Sequence, residues 1–119
     1  MILSSHQPSY LPWLGLFHKI ALADKFCFFD NVQFQPKSFD SRNRIKLPNG
    51  PSWLTVPVKK SGFRDKQYLE IEIQPNNPWP KKHWRSISLS YKKAPYFRRY
   101  ADDLEAIYDQ EWTHLTELN

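Results

Sequence analysis

Residues with acid–base and hydrogen-bonding side chains are crowded into one short connection near the start of the chain. His6 and Gln7 directly follow an apolar run that begins at Ile2, and a helical pattern starts a few residues later. A histidine can donate or accept a proton near neutral pH, and its charged form binds phosphate or carboxylate groups. We therefore expect His6 to act as an acid–base residue and Gln7 to contact the substrate. The alternative is a structural histidine that closes the turn through a hydrogen bond.

A carboxylate follows the second apolar run. Asp30 comes directly after the residues from Phe26 to Phe29, and the carboxyl ends of parallel strands meet at the sheet edge where ligands bind. There, Asp30 could orient His6, bind a sugar hydroxyl or hold a metal. We predict a catalytic role, with capping of loop N–H groups as the alternative. No metal site is predicted, because the close spacing typical of zinc sites is not found among His6, Asp24, Asp30 and His83.

The middle of the chain is strongly basic. Residues 37–99 contain 15 Lys or Arg against 4 Asp or Glu, an excess of 11, whereas the last residues are acidic. Within this segment Arg42 and Arg44 flank Asn43, and guanidinium groups suit bidentate binding of phosphate or carboxylate. The charge favours an anionic partner, which could be a nucleotide sugar, phosphate, nucleic acid or an anionic lipid surface. A solvated basic surface is the alternative.

Aromatic and amide side chains near these groups complete the predicted site. Tyr10 and Trp13 could stack on a base or a sugar face, although aromatic residues at the start of a helix often pack in the core. His83 falls on an apolar helical stripe, where a core histidine is the better interpretation. The predicted substrate-binding residues are Gln7, Tyr10, Trp13, Gln33, Arg42, Asn43 and Arg44.

The elements that must position these residues can be read from the apolar pattern. A strand over 2–5, a helical run ending at Ala23 and a strand over 26–29 predict a βαβ unit. The first strand is of the kind that is buried on both faces of a parallel sheet. Residues 44–47 and 53–56 predict a β-hairpin, because Asn49-Gly50 lies between them. The alternation from Tyr68 to Ile73 predicts a third strand. Two amphipathic helices follow, the first with Trp79, His83, Ile87 and Tyr91 at helical spacing.

These elements predict one α/β domain over residues 1–119. It consists of an N-terminal βαβ unit with a short, mostly parallel sheet, an added β-hairpin and two C-terminal amphipathic helices. The chain has no membrane-spanning apolar run and no signal peptide pattern, so we expect it to be cytoplasmic. Cys27, the single cysteine, lies in an apolar strand and is predicted to be a buried thiol. Dinucleotide-binding, P-loop, zinc-module and common hydrolase motifs are absent, which argues against those classes.

Seven ordered blocks resemble one known family, the WbqC-like proteins of bacteria, over essentially the whole chain. They are His6-Gln7-Pro8-x-Tyr10-Leu11-Pro12-Trp13-x-Gly15, Lys19-Ile20-Ala21-x-Ala23-Asp24, Asp30-x-Val32-Gln33, Arg42-Asn43-Arg44-Ile45-Lys46, Trp53-Leu54-Thr55-Val56-Pro57-Val58, Lys82-His83-Trp84 and Tyr91-x-Lys93-Ala94-Pro95-Tyr96-Phe97. Members of the family are longer, so the chain is similar to an N-terminal half. The resemblance implies a role in surface-polysaccharide (O-antigen type) or amino-sugar biosynthesis, with group transfer to an activated anionic sugar. It implies no particular cofactor.

A second class of function also fits the sequence. Basic residues interleaved with aromatic residues are typical of a noncatalytic module that binds nucleic acid or a protein partner. The apolar spacing of Trp112, Leu115 and Leu118 continues to the final residues, which predicts a helix face without a covering element. We therefore expect the chain to self-associate or to bind a separately encoded C-terminal half.

Overall fold

The computed structural model describes all residues, 1–119. Its regular elements are β1 (Leu3–His6), α1 (Leu14–Leu22), β2 (Lys25–Phe28), β3 (Arg42–Leu47), β4 (Gly50–Thr55), α2 (Trp79–Tyr91), α3 (Phe97–Asp109) and α4 (Leu115–Leu118). Two 3₁₀ turns, Phe63–Asp65 and Tyr68–Glu70, lie between β4 and α2. The predicted α/β class is confirmed, with its βαβ unit, hairpin and C-terminal helices. None of the helices has the length and apolar character needed to cross a membrane.

Two separate two-stranded sheets carry the residues of interest. β1 and β2 pair in parallel, with Leu3 opposite Lys25 and His6 opposite Phe28. β3 and β4 pair antiparallel from Arg42 opposite Thr55 to Leu47 opposite Gly50. Gly50 supplies the positive φ, +119°, that the hairpin turn requires. His6 and Arg42 are thus placed at the last position of one strand and the first position of another.

The core lies between the hairpin and the C-terminal helices rather than in the βαβ unit. The stripe on α2 is confirmed, since Trp79, His83 and Ile87 are all buried. Burying each large apolar side chain stabilises a fold by about 1.5–3 kcal/mol. Twelve buried residues form the hydrophobic cluster: Tyr10, Phe34, Ile45, Leu54, Val56, Tyr68, Ile71, Ile73, Trp79, Ile87, Tyr108 and Leu115.

The predicted third strand is wrong. Tyr68 to Glu70 form a 3₁₀ turn, and only Glu72 and Ile73 make isolated bridges, to His114 and Val58. The Glu70 carboxylate accepts a hydrogen bond from the backbone N–H of Gln67 at 2.8 Å. Such a local bond between a side chain and the backbone competes with extended structure. The alternating apolar residues Ile71 and Ile73 are buried, as the pattern predicted, but the segment that carries them does not form a strand.

The βαβ unit is more exposed than the apolar pattern predicted. Every residue of β1 and β2 retains solvent exposure, and Cys27 is exposed, so the predicted buried thiol is wrong. Only Leu16 of α1 is buried, whereas Leu14 is 86 % exposed. Parallel strands are normally covered on both faces. Here two strands and one helix leave much of that apolar surface uncovered.

The uncovered helix face predicted at the end of the chain is wrong, because Leu115 is fully buried and Trp112 and Leu118 pack against the hydrophobic cluster. The exposed surface of the βαβ unit leads instead to a prediction about association. We expect the chain to self-associate, and a Leu14→Glu, Phe17→Glu variant to sediment as a smaller species, because both side chains are exposed on α1. Leu89→Glu, which alters an exposed leucine on α2, should leave the association unchanged. Sedimentation velocity measures all three proteins. A wild-type chain that stays monomeric at high concentration would contradict the prediction.

Candidate functional site at the end of the first strand

His6 is held by a short hydrogen bond at the end of β1. Its Nδ1 lies 2.6 Å from the backbone carbonyl oxygen of Gln7. Because a carbonyl oxygen only accepts, Nδ1 must carry the hydrogen in this bond. Nε2 of the neutral ring therefore has a free lone pair. The residue is oriented as a proton acceptor through Nε2.

The indole of Trp13 lies against His6. The two ring centroids are 5.3 Å apart at an interplanar angle of 66°, an edge-to-face arrangement. Gly15 allows this position, because a Cβ atom there would collide with Trp13 Nε1. Trp13 remains largely exposed, so the sequence places an aromatic face beside the histidine by omitting a side chain two residues later.

A buried carboxylate, Asp40, is linked to this turn. Gln7 Nε2 donates to Asp40 Oδ1 at 3.0 Å, and the Gln35 N–H donates to Asp40 Oδ2 at 3.2 Å. Asp40 is only 1 % exposed. Burial raises the pKa of its carboxyl group, whereas the hydrogen bonds from Gln35 and Ser38 oppose that rise, as does the His6 ring whenever it is charged. Asp40 is thus electrostatically coupled to His6.

Sequence reasoning missed Asp40. It lies in a loop, it precedes no helix that it could cap, and it ends no strand. One available signal was its isolation, because it is one of only four acidic residues within the basic segment 37–99. Its partner Gln7 is 33 positions away in the chain, which no local pattern reveals.

Asp30, predicted as a catalytic residue, is hydrogen-bonded to the C-terminal segment. Its Oδ2 accepts from the Thr116 hydroxyl at 2.8 Å, and its backbone carbonyl accepts from the Leu69 N–H at 2.9 Å. These bonds join the end of β2 to α4 and to the 3₁₀ turn. The side chain has no hydrogen bond to His6, so the observed contacts resemble the structural alternative more than the orienting role. The catalytic assignment stays a prediction.

Tyr10, predicted to contact substrate, is buried in the core. Its hydroxyl lies 2.7 Å from Nδ1 of His83 and 2.6 Å from the hydroxyl of Tyr108. Burial raises the pKa of Tyr10 and lowers that of His83 to about 4, with a backbone hydrogen bond to Thr55 opposing the second shift. His83 is therefore neutral in the fold near pH 7. Substrate contact by Tyr10 would require this buried cluster to open.

Asn43 and Gln33 also make hydrogen bonds within the chain. Asn43 Nδ2 donates to the carbonyl oxygens of Tyr10 at 3.3 Å and Leu11 at 2.6 Å. Leu11 has a positive φ of 46°, so Asn43 holds an unusual backbone turn in place. Gln33 Nε2 donates to the Arg64 carbonyl at 3.3 Å. The side-chain amides of both residues thus donate to backbone carbonyl oxygens of the chain itself. Their substrate-binding roles stay predictions.

Arg42 and Arg44 share one face of the hairpin with Trp53. Their guanidinium carbons lie 4.0 and 5.2 Å from the centroid of that ring. Arg42 Nε is buried and has no hydrogen-bond partner. The hairpin is joined to the strand-end turn through Asn43. The loop before β3 is joined to the same turn by a bond from the Tyr10 N–H to the Phe39 carbonyl at 3.0 Å. The fold thus connects the two parts of the predicted site.

The sequence blocks and this fold can be compared with known proteins. Residues 7–119 match the model of the WbqC-like protein family. The chain belongs to that family. The WbqC-like chain is 38 % identical over 114 residues to Uncharacterized protein Rv1507c of Mycobacterium tuberculosis (strain ATCC 25618 / H37Rv). The match covers 95 % of the chain and 49 % of the relative, so the chain spans about half the length of the relative. A comparison with solved structures found no match.

Two surface cavities of the WbqC-like chain lie away from His6. One, of about 590 Å³, is lined by residues 73–81 and 108–113 and contains none of the predicted site residues. The other, of about 620 Å³, lies between the hairpin turn and Tyr91, and Arg44 is one of the residues that line it. No group of three or more His, Cys, Asp or Glu side chains is placed to hold a metal ion. Neither cavity is lined by His6, and Arg44 is the one predicted site residue that lines either of them.

Proposed function

We propose that this WbqC-like chain binds an activated anionic sugar in the cytoplasm. It contributes to group transfer in bacterial surface-polysaccharide or amino-sugar biosynthesis. The observation that carries this proposal is an oriented imidazole, His6, whose neighbour Gln7 donates to the buried carboxylate of Asp40. The hairpin that carries the two arginines is bonded to the same turn through Asn43. Neither arginine pairs with a carboxylate, since the one ion pair in the structure joins Lys59 to Glu72. An anionic substrate would supply the missing counter-charge.

The geometry supports a proton-transfer role for His6. An amine or hydroxyl that attacks the anomeric carbon of the activated sugar releases a proton as its new bond to that carbon forms. The carbon–oxygen bond to the phosphate breaks in the same exchange, and the phosphate leaves with the bonding electrons. Nε2 of the neutral imidazole can take that proton, and the resulting charge on the ring is stabilised when Asp40 is ionised. Arg42 and Arg44 would hold the phosphate of the substrate through their remaining N–H donors. In this scheme Asp40 takes the supporting role that the sequence assigned to Asp30.

A noncatalytic nucleic-acid module remains a second candidate because of one observation. Two arginines lie over the exposed ring of Trp53, and cationic groups with aromatic rings are common where single strands bind. This candidate predicts that an oligonucleotide binds with little sequence preference and with an affinity that falls steeply as salt increases. A site for a nucleotide sugar predicts one ligand per chain and dependence on His6.

The charge of the ligand tests the role of the arginines. An Arg42→Gln, Arg44→Gln variant should bind N-acetylglucosamine 1-phosphate more weakly, by about 1.5–3 kcal/mol for each hydrogen bond to the phosphate that the substitution removes. Its affinity for neutral N-acetylglucosamine should change much less. Isothermal titration calorimetry with both probes measures the difference.

A matched control exists on α3. The Arg98→Gln, Arg99→Gln variant removes the same charge from two exposed neighbours, and Arg99 also lies near an aromatic ring, Tyr100. It should leave binding of both probes unchanged. Equal reductions in affinity for the charged and the neutral probe in the Arg42, Arg44 variant would argue against phosphate binding by these residues.

A further inference from the structure

One face of the hairpin gathers aromatic and cationic side chains. Arg44 on β3 is directly opposite Trp53 on β4 in the antiparallel register. Arg42 lies two residues before Arg44 on β3. Side chains two apart on a strand share a face, so both guanidinium groups reach the indole. The ring of Phe39 lies 6.0 Å from that of Trp53, at an angle of 41°. We define these four residues as the hairpin platform.

The rings of the hairpin platform are partly exposed to solvent, and one of its N–H donors has no hydrogen-bond partner. Trp53 is 42 % exposed and Phe39 is 52 % exposed, so neither side chain is buried in the core. Arg42 Nε is buried without a partner, and a buried unpaired donor costs free energy. Arg44 also lines the recess between the hairpin turn and Tyr91. The platform therefore combines partly exposed aromatic rings, an unpaired donor and adjacent space.

These features suit a ligand that has both an aromatic ring and a phosphate. Guanidinium groups alone suffice to bind a sugar phosphate. Exposed aromatic rings add an interaction that a nucleobase satisfies, because every base has a π-face that can stack on them. The positive charges beside the rings then meet the phosphate attached to the same nucleoside.

We infer that the hairpin platform is a nucleotide subsite, in which Trp53 and Phe39 stack on a nucleobase while Arg42 and Arg44 bind its phosphate. This inference rests on the proposed function and narrows its substrate to a sugar that is activated by a nucleotide. The same chemistry could come from a free nucleotide or from a nucleic-acid strand. The site is separate from the His6 turn, which would face the sugar being modified.

Ring-removing variants test the subsite. Trp53→Ala, Phe39→Ala should bind uridine monophosphate about tenfold more weakly or worse, whereas its affinity for N-acetylglucosamine 1-phosphate should fall much less. Trp53→Tyr should keep most of the affinity, since it retains a ring. Tyr100→Ala is the matched control, because it removes a ring that is 51 % exposed and adjacent to Arg99. Calorimetry gives the affinities, and circular dichroism checks that each variant is folded.

The outcomes separate this inference from the proposed function. If wild type binds the sugar phosphate but not uridine or adenosine monophosphate, or if ring removal does not alter nucleotide binding, the inference is overturned while the proposed function stands. If nucleotides bind through Trp53 and Phe39 but neither the sugar phosphate nor a nucleotide sugar binds, the subsite is supported and the proposed function fails. A uridine oligomer that binds far more tightly than the monophosphate would identify a nucleic-acid strand as the source.

Discussion

Replacing His6 with alanine should abolish transfer activity while leaving the fold nearly intact. Removal of a general acid–base group lowers rates by about 10²–10⁴-fold. The side chain is only partly buried and contacts Gln7 and Trp13. Its removal should therefore cost less stability than the roughly 2–5 kcal/mol of a large-to-small change in a core.

Two measurements decide the role of His6. Thermal melts report the stability of the variant, and transfer assays with a nucleotide sugar report its activity. His18→Ala is the matched control, because His18 is an exposed histidine on α1 of the same βαβ unit. A large fall in the melting temperature of His6→Ala, with unchanged turnover of the folded fraction, would show that His6 is structural.

Acidification should destabilise the chain through His83. Burial lowers its pKa from 6.5 to about 4, so the unfolded state binds a proton at pH values where the folded state does not. Stability is then complete above about pH 6.5 and is lost progressively as the pH falls toward 4. The expected decrease from this group is about 2 kcal/mol between about pH 7 and pH 5. Urea unfolding at several pH values measures it.

A variant isolates the contribution of His83 from that of other groups. His83→Gln retains a side chain able to hydrogen-bond the Tyr10 hydroxyl but does not titrate, so its stability should vary less with pH in this window. Asp40 contributes with the opposite sign, because burial raises the pKa of its carboxyl group. Comparing the slopes of the two proteins cancels that contribution. Identical slopes would mean that His83 does not control the acid sensitivity.

Much of the fold could be predicted because its signals are local. The helical spacing of Trp79, His83 and Ile87 identified α2 and its buried face, since residues four apart lie on one side of a helix. Asn49-Gly50 located the hairpin turn, and Gly50 does supply the positive φ. The family blocks were also recognisable in the sequence. The position of His6 at the end of a strand was predicted correctly, because the apolar patterns of β1 and α1 lie on either side of it in the sequence.

The tertiary structure alone decided which predicted residues are free to meet a ligand. Tyr10 bonds to Tyr108, 98 positions away, and Asp30 bonds to Thr116, 86 positions away. Both side chains looked available when only their neighbours in sequence were considered. Asp40 shows the converse, since a loop residue became the buried partner of Gln7 through a contact across 33 positions. Whether a side chain is free to bind a ligand depends on its burial and on its hydrogen-bond partners. Both are determined by segments that are distant in the sequence.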